Sequence, residues 1–442
     1  MKVEVISTDI IKPSIPTPDH LWNFGLSLFD QLTPVLYTPI ILYYPMRDQD
    51  DRLVWPSSAD SLHRLRSSLS VVLSRFYPLA GRMRDNMCIE CDDRGAKFLE
   101  AKVNCELSEV LTRPSPQLLR MLLPAQVESL ESRTGHLLLV QANLFECRGL
   151  AIGICVSHKI ADAGAMSNFI KSWADVANEI DPTEIKSLGL NASSLVPPLS
   201  HFTNPPEVEF HEGKTTMKRY VFSSSSLAAL VKEIASEGHG LRPTRLEAVS
   251  ALLWKCLMET SKRIRGCKRR SFFSHAVNLR GRMPEPFPKV SMSLGNLLGG
   301  FRAEITEENE EIHLAEAVRR LQHAKEDYFE NFVKNEMVGE KIPSAVLGGA
   351  KAYGELLSDP EVDFYNCTSW CKFPLYDADF GWGKPVWASV VSAEFKDAIL
   401  MIDGRGGEGM EVWLSLEQNH MAEFEREEDL LRFASLDPSI TW

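Results

Sequence analysis

The sequence predicts a mixed α/β protein of two domains joined by a long crossover. Three observations predict it. The chain has 442 residues, enough for more than one core. Strand-like and helix-like segments are mixed along both halves, with no repeat of the roughly 20–50 residues that marks a solenoid or propeller. Between about 181 and 218 the periodicity disappears into a stretch rich in Pro, Ser, Asn and Thr, the best linker candidate.

Taken in order, "SLHRLRSSLSVVLSRF" (61–76) places Leu62, Leu65, Leu69, Val72, Leu73 and Phe76 at helical spacing. "MCIECDDRGAKFLEA" alternates like a strand pair around an Asp-Arg-Gly turn. "HLLLVQANLFECRGLAIGICVSH" (136–158) reads as two strands around a Cys-Arg-Gly turn, and "GAMSNFIKSWADVANEI" then carries one apolar helix face. In the second half, "PTRLEAVSALLWKCLMETSKR" starts with a proline and runs as a helix. "SFFSHAVNLR" is a strand, and "EIHLAEAVRRLQHAKEDYFENFVKN" is a long helix with acidic residues early in it. "KPVWASVVSAEFKDAILMIDGRGGEGMEVWLSLEQ" reads as three strands with their hairpins, and "HMAEFEREEDLLRFA" as a closing helix.

The totals exclude several classes. A formal charge of -12 makes a poor generic nucleic-acid binder, because phosphate neutralisation needs clustered Lys and Arg. No basic-then-apolar signal opens the chain, and no apolar run approaches a membrane span. A soluble cytoplasmic protein is expected, with its nine cysteines as reduced thiols. "CIEC" (Cys88, Cys91) sits in a stretch that alternates like a strand pair, and "CTSWC" (Cys367, Cys371) has the wrong spacing for a zinc knuckle, so no metal is expected. "NAS" and "NCT" are chance matches to glycosylation acceptors.

Four segments carry possible chemistry. In "CVSHKIADAGAM" (155–166) an apolar strand stops at His158, and Asp162 follows four residues later at a helix start. A neutral imidazole takes up a proton near pH 6.5, and an aspartate there caps a helix. Alone, this short motif fits a polar strand end with an N-cap as well as a catalytic base. "GRGGEG" (404–409) is followed by a strand rather than a helix, so it reads as a hairpin loop and not a dinucleotide fingerprint. "KRIRGCKRR" (262–270) holds six basic residues in nine, either a solvated loop or a positive field for an anionic cofactor. In "DADFGWGKP" (377–385), Asp379 stands beside a Gly-Trp-Gly turn whose backbone N–H groups it can cap. No P-loop and no Gly-x-Ser-x-Gly elbow occurs.

"HKIAD" followed by "AG", and "DFGWGKP" about 220 residues later, resemble the paired motifs of the plant BAHD acyltransferases. "IKPSIPTP", "LSLFDQ", "FYPLAGR", "PTRLEAVSALLWK", "NLRGRMPEPFP" and "GNLLGG" are similar to the family's segments and come in its order. "SWCKFPLYDADFGWGKP" and the ending "MAEFEREEDLLRFAS" are most similar to the alkaloid-acetyltransferase branch. The resemblance implies two chloramphenicol-acetyltransferase-like domains with a solvent channel between them. It implies domains at 1–185 and 216–442, a crossover at 186–215, and a segment at about 379–405 that returns to the first domain. Acetyl-CoA is implied as co-substrate, with no permanently bound cofactor, a small alcohol as acceptor, and a monomer with no nucleic-acid or membrane partner.

The resemblance also assigns residues. His158 would be the general base, and Asp162 would support it by pairing with Arg280 of "NLR", beside Asn278. Asp379 is sometimes given a catalytic part in the family; here Asp379, Gly381, Trp382 and Gly383 are expected to hold the architecture. By position, Thr368, Ser369 and Trp370 are oxyanion candidates. Ser250, Lys255, Lys268, Arg269 and Arg270 are candidates for coenzyme A. The chain departs from the family at Cys147-Arg148-Gly149, where Cys-Gly-Gly is usual; a turn needing positive φ at Arg148 would let the following strand shift. The acceptor the resemblance implies is an alkaloid or terpenoid alcohol; a serine hydrolase, a non-catalytic metabolite binder, a donor such as a malonyl, hydroxycinnamoyl or branched acyl group, and a sugar-ester or phenolic acceptor are the rival readings.

Overall fold

The continuously apolar run Leu150–Ser157 forms a strand buried along its whole length, as expected of a strand covered on both faces. The computed structural model describes residues 1–45, 57–184, 192–194, 196–206, 210, 214–238, 240–283, 293–306, 313–391 and 394–442. Parts of the expected crossover at 186–215 and the "PEPFP" end of "NLRGRMPEPFP" lie outside the described residues.

The first sheet runs in the spatial order β1 (Val3–Ile11), β6 (Ala96–Val103), β7 (Leu138–Phe145), β8 (Leu150–Ser157), β3 (Tyr37–Tyr44) and β13 (Trp387–Ser389). Only its β6–β7 pair is parallel. The second sheet runs β11 (Leu298–Ile305), β10 (Arg270–Asn278), β12 (Val362–Ser369), β14 (Ala398–Asp403), β15 (Met410–Glu417), β9 (Thr215–Phe222) and β16 (Ala434–Leu436). Strand β12 is parallel to both β10 and β14. A small third sheet joins β2 (Asn23–Gly25), β5 (Cys88–Glu90) and β4 (Arg82–Arg84). The strands expected in "MCIECDDRGAKFLEA" therefore exist but do not pair: β5 and β6 enter different sheets. The two cysteine pairs are likewise separated, with Cys88 in the third sheet and Cys367 inside the second.

Helices follow the apolar spacing. In the first half these are α1 (Leu28–Leu32), α2 (Ser58–Leu73), the short α3 (Leu107–Thr112), α4 (Pro116–Arg120) and α5 (Glu131–Thr134), and α6 (Ala163–Ala177). Helices α2 and α6 bury Leu65, Leu69, Phe169 and Trp173 in one core with the first sheet, and the Trp173 indole N–H donates to Ser68 Oγ (3.0 Å). The second half adds α7 (Ser224–Glu237), α8 (Arg245–Arg265), α9 (Leu314–Asp327), α10 (Ile342–Ser358), α11 (Gln418–Phe424) and α12 (Glu428–Leu431). Helix α8 opens on a Thr244/Glu247 capping box, so Pro243 precedes the cap instead of starting the helix. It stops at Gly266, whose φ of 78° a side chain would resist. The long helix after it runs through α9 and continues as a π turn over Tyr328–Val333. The expected closing helix is two short ones, α11 and α12.

Of the three strands expected near the C-terminus, only β14 and β15 form a hairpin, with "GRGGEG" as its loop. Strand β13 pairs instead with β3 of the first sheet. There Trp387 stacks on Tyr43 at 4.9 Å between ring centres. Its indole N–H reaches across to Glu411 Oε1 of β15 (3.0 Å), which also pairs with Arg219 of β9 (3.2 Å). All three residues are buried, so the returning segment ties the two sheets together. Because β14 belongs to the second sheet, the return ends before Ala398, short of the expected 405.

Candidate active site

Strand β8 ends at Ser157, and His158 is held by its backbone on both sides. Its N–H donates to the Leu36 carbonyl (2.9 Å), and its carbonyl accepts from Asn296 Nδ2 (2.7 Å). Burial of the ring pushes its pKa below the usual 6.5, against smaller upward pulls that include Asp162, so the imidazole is neutral at neutral pH. Nδ1 is buried without a hydrogen-bond partner, and the residue's own carbonyl and the Asn296 side chain are among the groups that favour the protonated ring. A ring with its proton on Nδ1 has Nε2 left to accept one.

Asp162 points away from that ring's chemistry. It is the N-cap of α6, accepting from Ala165 N–H through Oδ1 (2.9 Å). Its Oδ2 accepts from Arg280 Nη1 (2.6 Å) and from Leu297 N–H (3.0 Å). The ion pair is almost sealed, with side-chain exposures of 5 % for Arg280 and 1 % for Asp162. Arg280 spends its other donors on Ser293 Oγ, the Ser293 and Gly295 carbonyls and Asn278 Oδ1, and Asn278 Oδ1 also accepts the Arg280 backbone N–H. The structure thus joins the first half (Asp162) to the second (Arg280) at the point where β8 delivers His158.

Three residues around His158 carried no role in the sequence reading. Asn296 lies in "GNLLGG", Asp30 in "LSLFDQ", and Lys159 directly follows His158. Asp30 Oδ1 accepts from Asn296 N–H (2.6 Å) and Nδ2 (2.9 Å), while Oδ2 accepts from Ser27 N–H (2.8 Å) and Oγ (2.7 Å). Lys159 is fully buried, and its ammonium donates to the carbonyls of Asp30, Gln31 (3.0 Å) and Thr33 (2.9 Å) at the end of α1. Burial lowers its pKa to about 7, opposed by Asp30. The available signal was an aspartate inside an apolar helix and a lysine inside an apolar run, each of which needs a buried partner.

The remaining expected residues fall in different places. Asp379 Oδ1 accepts from Gly381 N–H (2.8 Å) and Gly383 N–H (2.9 Å), capping the turn. Both glycines have φ near +100°, and Trp382 packs edge-on to Tyr44 at 6.1 Å. Thr368 and Ser369 end β12, half-buried. The Trp370 N–H already donates to the Met401 carbonyl (2.7 Å), so it is spent. Ser250 is fully buried; it donates to the Leu246 carbonyl and lies 2.9 Å from His275 Nε2, inside the helix–strand packing. Lys255 pairs with Asp429 (2.7 Å). Arg263 pairs with Glu423 and Glu427, Arg269 with Glu361 and Arg270 with Glu304, so much of the basic loop's charge is met by carboxylates. Lys268 stands in the same loop. Arg148 does sit at positive φ (64°), yet β7 and β8 pair without a register break from Leu138↔Val156 to Leu144↔Leu150, so the strand carrying His158 has not shifted. Among the described residues no helix is long and apolar enough to cross a membrane.

Comparisons with known proteins agree with this geometry. The chain is 34 % identical to limonoid 1-O-acetyltransferase of Citrus sinensis, over all of both chains. It is 35 % identical to salutaridinol 7-O-acetyltransferase of Papaver somniferum, over 96 % of each. The structure superposes on that of vinorine synthase with a TM-score of 0.84 at 30 % identity, covering 99 % of each chain. It also shares its fold with F. sporotrichioides TRI101, solved with coenzyme A and T-2, at a TM-score of 0.71 and 19 % identity over 94 % of this chain and 99 % of that one. The profile of the Transferase family matches residues 1–431, and the chain belongs to that family, the plant BAHD acyltransferases that its motifs resemble.

Proposed function

We propose that this protein moves the acetyl group of acetyl-CoA to a hydroxyl of a plant specialised metabolite, an alkaloid or terpenoid alcohol. Members of its family use acyl-CoA as co-substrate, and the relatives above are named as limonoid and alkaloid O-acetyltransferases. The observation that carries the mechanism is the neutral imidazole of His158, with Nδ1 buried, beside the Asp162–Arg280 pair that joins the two halves. Nε2 takes the proton of the acceptor hydroxyl as the oxygen attacks the thioester carbonyl. The tetrahedral intermediate collapses with loss of the coenzyme A thiolate, to which the imidazolium returns the proton. General-base help of this kind is worth about 10²–10⁴-fold.

Both substrates are held at once in a channel between the halves, which removes the entropic cost of a bimolecular encounter at the reacting atoms. No enzyme nucleophile is needed. Thr368 and Ser369, at the end of β12, are the candidates for stabilising the oxyanion. Lys268 and its basic neighbours are the candidates for the coenzyme A phosphates. Asp162 and Asp379 act as braces.

The test offers purified protein acetyl-CoA with a panel of alkaloid and terpenoid alcohols, following coenzyme A release and product mass. His158→Ala is expected to lower kcat by at least about 100-fold. An undiminished rate in that variant refutes the base assignment, and turnover from malonyl-CoA or a hydroxycinnamoyl-CoA but not from acetyl-CoA refutes the donor.

A further inference from the structure

We propose that Asp30 and Lys159 are positioning residues for His158: together they hold Asn296 so that its side-chain oxygen faces Nδ1 and keeps the imidazole proton there, with Nε2 left as the base. This rests on the reading of His158 as the general base.

An asparagine amide has two N–H donors and one acceptor oxygen. Both donors of Asn296 are committed, one to Asp30 Oδ1 (2.9 Å) and one to the His158 carbonyl (2.7 Å). Turning the amide over would set its oxygen against two acceptors, so the orientation is determined by its partners. The atom that remains is Oδ1, which is buried and without a hydrogen-bond partner, as is Nδ1 of His158. The Asn296 side chain and the histidine's own carbonyl both favour a proton on the ring, and a buried polar atom left unpaired is costly, so a contact between Asn296 Oδ1 and Nδ1–H would satisfy both orphaned atoms.

The orientation depends on Asp30 being a carboxylate. Its two oxygens accept four donors, two from Asn296 and two from Ser27, and a protonated carboxyl would bring a hydrogen against one of them. An ionised group this deeply buried needs an opposite charge. Burial pushes the Asp30 pKa up, and the Ser27 and Asn296 donors pull it back toward the carboxylate. Lys159 is the basic group that feels the Asp30 charge, and its three N–H donors go to the carbonyls of Asp30, Gln31 and the α1 C-cap Thr33. Two of those carbonyls also accept elsewhere, Asp30 from the Thr33 N–H (3.2 Å) and Gln31 from Asn86 Nδ2 (3.2 Å), so the lysine adds to the bonds that close the C-terminal end of α1. The dipeptide His158-Lys159 therefore works in two directions: the histidine supplies the base and the lysine anchors the helix that orients the histidine's partner. The charged groups that act on His158 are Asp162, which favours its protonated form, and Lys159, which opposes it. Lys159 in turn feels Asp30 and Arg133.

The test compares wild type with Asp30→Asn, Lys159→Met and His158→Ala. The readouts are kcat, KM, the pH dependence of kcat/KM, and the ¹⁵N shifts of imidazole-labelled protein, with His158 assigned from its loss in His158→Ala. Wild type is expected to show His158 as the Nδ1–H tautomer. Asp30→Asn is expected to show a mixture of tautomers, a kcat lower by roughly 10- to 100-fold, the usual loss when an outer partner of a working histidine is removed, and a KM within about threefold of wild type. Lys159→Met is expected to move the same readouts in the same direction. A folded Asp30→Asn with wild-type kcat and pH profile overturns the proposal. So does an Nε2–H tautomer in wild type, a measurement that stands even if the variants do not fold. Full activity in His158→Ala overturns the base reading instead, and the tautomer of wild type is unaffected by that outcome.

Discussion

Removing the Asp162 carboxylate tests whether it is a brace or a member of a proton relay. In Asp162→Ala three interactions go together. The α6 N-cap bond to Ala165 is lost, worth about 1 kcal/mol. The Leu297 N–H loses its acceptor in the interior, worth about 1–3 kcal/mol. Arg280 is left 5 % exposed without its counter-ion, worth about 3–5 kcal/mol. The last two overlap, since water entering the gap would serve both, so the expected loss is about 4–5 kcal/mol rather than the sum. Arg280→Met fills much of the arginine's volume without its charge. In the Asp162→Ala background it should cost little or restore stability, giving a coupling of about 3 kcal/mol between the two positions. Urea titration followed by tryptophan fluorescence measures the four corners of the cycle, and kcat/KM against pH is recorded for each folded variant. The acid limb should persist in Asp162→Ala, because His158 remains. A variant with a wild-type urea midpoint but a kcat lower by more than about 1000-fold would place Asp162 in the chemistry and refute the reasoning.

Three further outcomes follow from particular residues. Burial depresses the His158 pKa, and the neutral ring is the base, so the acid limb of kcat/KM should fall tenfold per unit only below the folded-state pKa, while loss of the Lys159 charge from about pH 7 upward should lower the rate on the alkaline side as Lys159→Met does. The same depression means that the histidine's share of stability is full above pH 6.5 and is lost as pH falls from there through the folded-state value; an acid limb centred above pH 7 contradicts both. Arg148→Gly should raise stability by about 0.5–1 kcal/mol without changing kcat, because relief of the 64° φ outweighs the added freedom of the unfolded chain; a lower melting temperature would show that the arginine side chain holds the turn. Gly153→Ala would set a methyl group 2.1 Å from the Leu122 carbonyl oxygen in the middle of β8, forcing backbone apart, and should cost more than about 3 kcal/mol in a urea titration; a neutral result would mean that the Leu122 segment yields freely.

Much of this protein was legible from short stretches. The apolar run into His158, the aspartate cap after it and the amphipathic helix beyond were read correctly because each depends on neighbours within one or two turns of chain. The capping box of α8 and the hairpin loop at "GRGGEG" are of the same kind. Charge counting could not see where the basic residues find partners, for a corresponding reason. "KRIRGCKRR" left both a solvated loop and a positive field open, and Arg263 meets Glu423 and Glu427, more than 150 residues along the chain. Ser250 seemed available to a ligand until α8 packed it against His275.

By itself, then, the sequence determined the kinds of element, their caps, the strand that presents His158 and, through an ordered set of motifs, the family. Those properties are local, or are carried by residue identity alone. Only the tertiary structure decided that β13 crosses to the first sheet, that Asp162 is sealed against Arg280, and that Asp30, Lys159 and Asn296 converge on one imidazole. Asn296 lies 138 residues from His158 and 266 from Asp30, distances over which no periodicity or turn chemistry acts. What brings them together is the burial of two separate cores against each other, which leaves each polar group in the seam to find its partner among the few that the packing puts within reach.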